Sequence, residues 1–574
     1  MKTSRSAAAM PPLLLRSAAM PPVNRGTAAV GKISGGMAAA LLFAACTVAT
    51  TPAPITPPPP EPRTTATAAR VILVSFDGLG ANDVEAQKPA AIVHLANEGT
   101  YARVVPMTPS VTSTTHATIL TGADREHTGI LSNHFHAPGT PPGQETKGMD
   151  TEIKAPTLLD TARAAGKRVG SVLFPTVDGR SPRRTPDWGL VWTTHVVPAR
   201  MVKLTKNDFH QEWLPPGWTA SRPRRNSFSP VMRTRIDEDI PNEGREQFDL
   251  LAYDTTDDRV RNYDAFFVEH AGTETPLAAQ RWFSVSTRFA DGLYGSWSKL
   301  VAIDPALNNA TLYLGAINRN EGLPAAYVRM IDDEAGFWPG TPDEKADRTT
   351  FVEQVDRLSS FLTKATTLSI QRMPFDLLLA YQPIVDSTEH HLRGVDEPAV
   401  TLAISDADRA IAVLSNAVDP ARDALVVVGD HGVAKIDTDV HINRILANAG
   451  FAPRWTAFTS GNVAMFSRAG DPDDTAALID FLQSIKAPDG AFVFEQVQRD
   501  YDITAYAFPR FVITTKEGEP FTKPESPGQH GGLTTHRDYD TVLIAWGRGV
   551  SRETLASLPQ TAIAGFVLRL LGLQ

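Results

Sequence analysis

The first strong pattern along the chain is Val71-Ile-Leu-Val-Ser-Phe76, an almost unbroken apolar run that ends on Asp77-Gly78. A short run of this kind predicts a strand buried on both faces. Pro89–Glu98 begins on proline, suits a helix and stops at Gly99, and Thr157–Ala165 predicts a second helix, followed by a strand over Arg168–Phe174. After residue 350 the alternation resumes. Helices are predicted over Val352–Leu362, Glu397–Val418, Ile442–Ala449 and Thr561–Leu571, with strands over Phe375–Tyr381, Ala424–Gly429 and Thr541–Trp546. Apolar strands between helices predict an α/β fold, a doubly wound, mostly parallel sheet flanked by helices. Ligands of such a sheet sit just past the carboxyl ends of its strands. Asp77 and Asp430 stand there, and Asp386 follows a few residues beyond its strand.

Between about 196 and 350 the pattern breaks. Proline and arginine cluster at Pro215-Pro216 and Ser221-Arg-Pro-Arg-Arg225, Asp237-Glu-Asp239 intervenes, and Trp282–Arg288 and Leu312–Gly315 read as β-rich. The expectation is an insertion that caps the sheet and contributes to substrate choice. It divides the catalytic α/β domain into parts at 69–195 and 351–574.

At the start of the chain, Arg25 and Lys32 precede the apolar run Met37-Ala-Ala-Ala-Leu-Leu-Phe-Ala-Ala45, which closes on Cys46. That order is a secretory signal pattern over 1–46. Cysteine after Leu-Phe-Ala-Ala resembles a bacterial lipobox, which implies a periplasmic or cell-envelope protein attached to the membrane only through lipid on Cys46. Residues 47–68, mostly Thr, Pro and Ala, predict an extended tether.

Composition narrows the chemistry. In 574 residues, 42% are apolar and 21% charged, ordinary globular values. A net charge of −9, from 55 basic and 64 acidic residues, argues against binding a nucleic-acid polymer. Cys46 is the single cysteine, which excludes a disulfide framework and a cysteine-based zinc site.

The candidate chemistry lies in five segments: Asp77-Gly78, Thr108–Gly122, Asp386-Ser-Thr-Glu-His390, Asp430-His431-Gly432 and Gly528-Gln-His530-Gly531. Three aspartates and three histidines supply ligands for two divalent metal ions, and Asp/His donors without thiolate suit zinc. Asp386 and His390 lie four residues apart, so one helical turn or a tight loop can aim both at one ion. Two metals and a hydroxyl nucleophile are the parts for in-line displacement at phosphorus. Spacing alone leaves Thr112, Ser113, Thr114 and Thr115 equivalent as nucleophiles, and a helix over Ser113–Leu120 would aim its first amides at a bound phosphate.

The ordered set resembles the nucleotide pyrophosphatase/phosphodiesterase branch of the alkaline phosphatase superfamily. The resemblance covers roughly 69–195 and 350–550. It implies Thr112 as nucleophile and, in Gly129-Ile-Leu-Ser-Asn133, Asn133 as the donor to a phosphoryl oxygen. It also implies that Asp386, His390 and His530 hold one metal, and Asp77, Asp430 and His431 the other, with Thr112 beside it. His116 and His127 match positions that support the nucleophile loop. Ser113, Thr114 and Thr115 replace the family's Phe, Pro and Asn, which removes a base-stacking aromatic. Glu389 replaces a common glycine and adds a carboxylate.

The implied activity is hydrolysis of a small phosphate diester through a phosphothreonine intermediate. Phosphomonoester or phosphonate hydrolysis is the alternative within the superfamily, with Arg180, Arg183 or Arg184 supplying extra cations. A non-catalytic surface lipoprotein that binds metal or phosphate is the alternative outside it. A sulfatase is disfavoured, because no cysteine occupies the nucleophile position.

Overall fold

The computed structural model describes residues 61–193, 195–211, 228–256, 258–468, 474–500 and 502–573. The signal segment, Cys46, the tether up to residue 60 and the Pro215–Arg225 cluster lie outside these residues. The last part of the expected tether is docked: the Thr65 and Ala68 amides donate to Gly549 and Leu570 carbonyls, both at 2.8 Å.

The strands and helices that position the site are β1 (Val71–Phe76), β2 (Thr100–Val105), α1 (Thr112–Thr121), β3 (Val169–Val172) and β4 (Trp188–Val191). They continue with β5 (Glu321–Leu323), α2 (Arg348–Arg372), β6 (Leu377–Gln382), α3 (Ile384–Leu392), α4 (Glu397–Ala417), β7 (Ala424–Gly429), β8 (Thr541–Gly547) and β9 (Glu553–Pro559). Among the described residues they form a nine-stranded sheet in the order β5-β4-β3-β6-β1-β7-β8-β2-β9. The run from β4 to β7 is parallel, with Val74 of β1 between Ala380 and Val427; β8 is antiparallel to both its neighbours.

The pleat of β1 explains its near-continuous apolar sequence. Ile72, Val74 and Phe76 join one core with α2 and α4, while Val71 and Leu73 join a second core on the opposite face with α1. Burying each such side chain contributes about 1.5–3 kcal/mol. A sheet covered on both sides leaves only its strand ends open to solvent, and the polar residues collect there.

Two antiparallel sheets interrupt this frame. One includes Met232–Ile240, Gly244–Tyr253 and Ala265–His270; the other includes Arg200–Leu204, Arg281–Phe289, Gly292–Ile303 and Ala310–Leu314. They share a core of Ile236, Phe248, Leu250, Phe283, Leu300 and Leu312. A further four-stranded antiparallel sheet, Trp455–Ser460, Val463–Arg468, Phe494–Arg499 and Ile503–Ala507, packs with the helix Thr475–Ser484 around its own core. The periodicity reading left that segment unassigned.

Candidate metal centre

Asp77 leaves the end of β1 and is buried, its amide bonded to the Gln382 carbonyl of β6. Gly78 follows with φ +75°, and a Cβ there would lie 2.7 Å from the Asp386 backbone. That close approach lets the Asp386 amide donate to the Asp77 carbonyl at 3.0 Å. Asp386 sits in the first turn of α3, and the helical spacing brings His390 Nε2 to 3.2 Å from Asp386 Oδ1. His530, between two glycines after a short bridge strand, brings its Nε2 to 3.6 Å from the same oxygen.

Both histidines are aimed by backbone. His390 Nδ1 lies 2.8 Å from the Gly528 carbonyl and His530 Nδ1 2.9 Å from the Ser110 carbonyl. A carbonyl accepts only, so Nδ1 carries a proton and Nε2 is the nitrogen that each ring turns to the cluster. Asp430 and His431 follow β7. Asp430 Oδ1 accepts the Gly78 and His431 amides, and His431 Nε2 stands 3.3 Å from Asp77 Oδ1 and 3.1 Å from Asp430 Oδ2.

The ligand atoms of Asp386, His390 and His530 lie within 4.8 Å of one another, as do those of Asp77, Asp386 and His431 and those of Asp77, His116 and Asp430. His116 is poorly suited to ligation. Its Nδ1 bonds the Thr112 carbonyl at 2.9 Å and its Nε2 bonds Ser75 Oγ at 2.9 Å, so both ring nitrogens are used.

The charges of this cluster are unbalanced without cations. Burial, then the charges of Asp430 and Asp386, push Asp77 well above the carboxylate range. Burial and Asp386 push Asp430 up to about 7. Burial raises Asp386, but the charge and hydrogen bond of His390 together with His530 and His431 outweigh it and the net shift is downward; burial lowers His390, but Asp386 raises it to about 9. Asp77 Oδ1, Asp386 Oδ1 and both His431 ring nitrogens are buried without a hydrogen-bond partner. Orphaned acceptors on Asp77, Asp386 and His431, within a set of three carboxylates and three imidazoles, fit hard or borderline divalent cations.

Thr112 opens α1 and lines a cavity of about 350 Å³ with Asp77, Asn133, Lys147, Tyr381 and Asp386. Asn133 Oδ1 accepts the Ser113 amide at 2.9 Å and also the Ser113 hydroxyl. The Ser113 amide, expected to face a phosphate, is therefore used within the protein. Thr115 Oγ1 lies 3.2 Å from Asp430 Oδ2.

Several sequence expectations change. Arg180, Arg183 and Arg184 are absent from the residues lining this cavity. Arg180 pairs with Asp150 and Asp178, Arg183 with Asp160, and Arg184 with Asp178 and the Thr176, Thr151 and Met149 carbonyls. Glu389 turns to Arg393. His127 is exposed and pairs with Asp124, remote in role from the nucleophile loop, whereas His116 does hold the Thr112 carbonyl. Two residues were missed. Tyr381 donates to Asp77 Oδ2 at 2.5 Å, and its pairing opposite Ser75 at the ligand edge of the sheet was the available signal. Lys147 lines the cavity from the short strand Thr146–Lys147, within a polar stretch that carries no sequence signal.

Residues 71–533 match the family model described as Type I phosphodiesterase / nucleotide pyrophosphatase. No curated protein sequence matches the chain. Among solved structures, human ectonucleotide pyrophosphatase/phosphodiesterase 5 is 14% identical, with 88% of this chain and 95% of that chain covered at a TM-score of 0.49. The murine protein is 14% identical at 0.48 over the same shares, and one of its structures is a complex with AMP. Phosphonoacetate hydrolase from Sinorhizobium meliloti 1021, solved with phosphonoacetate, is 15% identical, with 89% of this chain and 97% of that chain covered at 0.48. With most of its length matched by the family model, the chain belongs to the type I phosphodiesterase/nucleotide pyrophosphatase family of metal-dependent hydrolases.

Proposed function

We propose that this hydrolase is a two-metal phosphodiesterase with Thr112 as its nucleophile. The observation that carries the reading is the convergence of Asp77, Asp386, Asp430, His390, His431 and His530 beside a cavity that Thr112 and Asn133 line. Asp386, His390 and His530 would hold one ion, and Asp77, Asp430 and His431 the other. Zinc suits these donors. Bound ions would neutralise the carboxylates, lower the pKa of a hydroxyl or water, and stabilise charge on the phosphoryl oxygens.

The chain's own residues then divide the work. Thr112 gives up its hydroxyl proton to solvent and attacks phosphorus through Oγ1, the bond to the leaving oxygen breaks and that alkoxide takes a proton from solvent, and a threonyl phosphoester forms; water then attacks the same phosphorus, releases the phosphate product and returns the proton to Thr112 Oγ1. His116 holds the Thr112 carbonyl, and Ser113 holds the Asn133 carbonyl oxygen so that the Asn133 amide N–H groups serve a phosphoryl oxygen. Tyr381 steadies Asp77 through its short hydrogen bond.

A diester is favoured because the three candidate arginines are paired elsewhere. Lys147 is the one permanent cation lining the cavity among the described residues, and it favours the second reading, a monoester or phosphonate. The zinc-loaded protein should have a higher kcat/KM on bis-p-nitrophenyl phosphate than on p-nitrophenyl phosphate. The reverse order, abolished by Lys147→Met, would establish the second reading instead. Export and lipid attachment at Cys46 are proposed from the leader; incorporation of labelled palmitate that persists in Cys46→Ala would rule out that anchor.

A further inference from the structure

A second cavity of about 720 Å³ adjoins the first, and Thr341, Asp386 and Ser387 line both. Its far wall carries Trp282 and Trp297 from the inserted sheet and Gln354 and Arg357 from α2. The Arg357 guanidinium carbon stands 4.2 Å from the Trp282 ring centroid and 5.2 Å from that of Trp297. Such stacking fixes the guanidinium plane while leaving its edges free to donate.

Those donors are unevenly used. Arg357 Nη1 bonds the Glu353 carbonyl of its own helix at 2.7 Å, while its Nε is buried without a partner. Among the described residues Arg357 has no ion-pair partner, because the Glu353 carboxylate takes Trp282 Nε1 at 2.6 Å and Lys299 Nζ at 2.7 Å. Gln354 lies three residues earlier. Its Oε1 accepts the Asp343 amide at 2.9 Å, and its Nε2 is buried without a partner. Of the acids at this cavity, Asp343 is bonded to the Tyr313 hydroxyl and the Lys345 amide, and Glu344 is on the exposed rim. Burial of donors without acceptors is unfavourable unless a ligand supplies the acceptors.

We propose that Arg357 and Gln354 bind a second anionic group of the substrate, a carboxylate or phosphate on the organic arm of the ester, away from the scissile phosphorus. The Nε–Nη2 edge of Arg357 is the fork that meets two oxygens of one anion. The shared lining residues give the arm a continuous path from Thr112 past Asp386 to this fork. The inference rests on the diesterase reading and narrows it to diesters with a charged arm.

The test separates the two. Methyl, 3-carboxypropyl and 3-phosphopropyl p-nitrophenyl phosphates are titrated calorimetrically into zinc-loaded Thr112→Ala protein. Both charged esters should bind about 10-fold or more tightly than the methyl ester, as a charge-assisted fork predicts, and the tighter of the two identifies the anion. Adding Arg357→Met should reduce that advantage to less than about 2-fold. Arg357→Lys keeps the charge and stem without the fork and should remove most of it, and Gln354→Leu should reduce it by about 3-fold. Equal affinity for all three esters, no binding of any, or an advantage that survives Arg357→Met would overturn the anion site. Turnover by wild type is read separately: its failure on all three esters would remove the diesterase reading.

Discussion

His390 and His530 illustrate how the site is organised at the scale of single residues. Each ring is held through Nδ1 by a carbonyl distant in sequence, so the free nitrogen is chosen by backbone rather than by a neighbouring side chain. Asn133 is aimed in the same manner by Ser113. Replacing Asn133 by Ala should lower kcat by about 10–100-fold, below the ~10²–10³ typical of a lost oxyanion donor, since bound ions share the charge. Ser113→Ala should cost less, because the amide bond to Asn133 remains. The double variant should match Asn133→Ala alone, since both act through one donor. Additive losses in steady-state kinetics would mean that Ser113 acts independently. Motifs marked Thr112 and Asn133 in the sequence, but not the Ser113–Asn133 bond. That contact forms only when the loop after α1 folds back.

At the scale of elements, the legible parts were those with one simple period. β1, β7 and α4 lie within a residue or two of expectation, because their apolar positions face a fixed core, and α3 supplies the helical turn that the Asp386–His390 spacing allowed. α2 extends from Arg348 to Arg372, well past the Val352–Leu362 pattern, as both ends carry polar residues and threonines that pack without apolar spacing. β2 was missed because Arg103 interrupts it; the structure buries Arg103 against Asp540 at 2.6 Å. The Trp455–Ala507 sheet was missed because its outer strands, Trp455–Ser460 and Phe494–Arg499, mix exposed and buried positions irregularly, while its buried inner strands carry Ser467, Arg468 and Thr504 among their apolar residues. The joint between β1 and α3 is the element contact on which the cluster depends. Gly78→Ala would force a Cβ to 2.7 Å from the Asp386 backbone at a φ that disfavours any side chain. It should cost about 1–3 kcal/mol in strain and reduce bound metal in elemental analysis. A variant with full metal content and unchanged Tm would refute that dependence.

For the whole molecule, the buried charges link metal occupancy to stability. His390, raised to about 9 in the fold, contributes stability that is complete below its unfolded value near 6.5 and is lost as pH climbs through 9. Asp430, raised to about 7, keeps its proton when folded while the unfolded chain loses it near 4, so it weakens the fold as pH rises from about 4 to 7. His530, lowered to about 4 by burial, acts oppositely, but only below about 6.5. Between pH 7 and 8.5 the slope is therefore downward. The Tm of chelator-stripped protein should fall across that interval, and zinc should raise it throughout by binding the folded state. A flat or rising Tm without metal would contradict the charge assignment.

The proposed mechanism requires that Thr112 become covalently attached to phosphorus. Wild-type protein loaded with zinc should be mixed with bis-p-nitrophenyl phosphate, quenched in acid within the first turnover, digested and analysed by mass spectrometry. A p-nitrophenylphosphoryl group should appear on Thr112, in the peptide spanning Val104–Arg125, and none in Thr112→Ala. The same adduct on Ser113, Thr114 or Thr115, or full turnover by Thr112→Ala without any adduct, would contradict that mechanism.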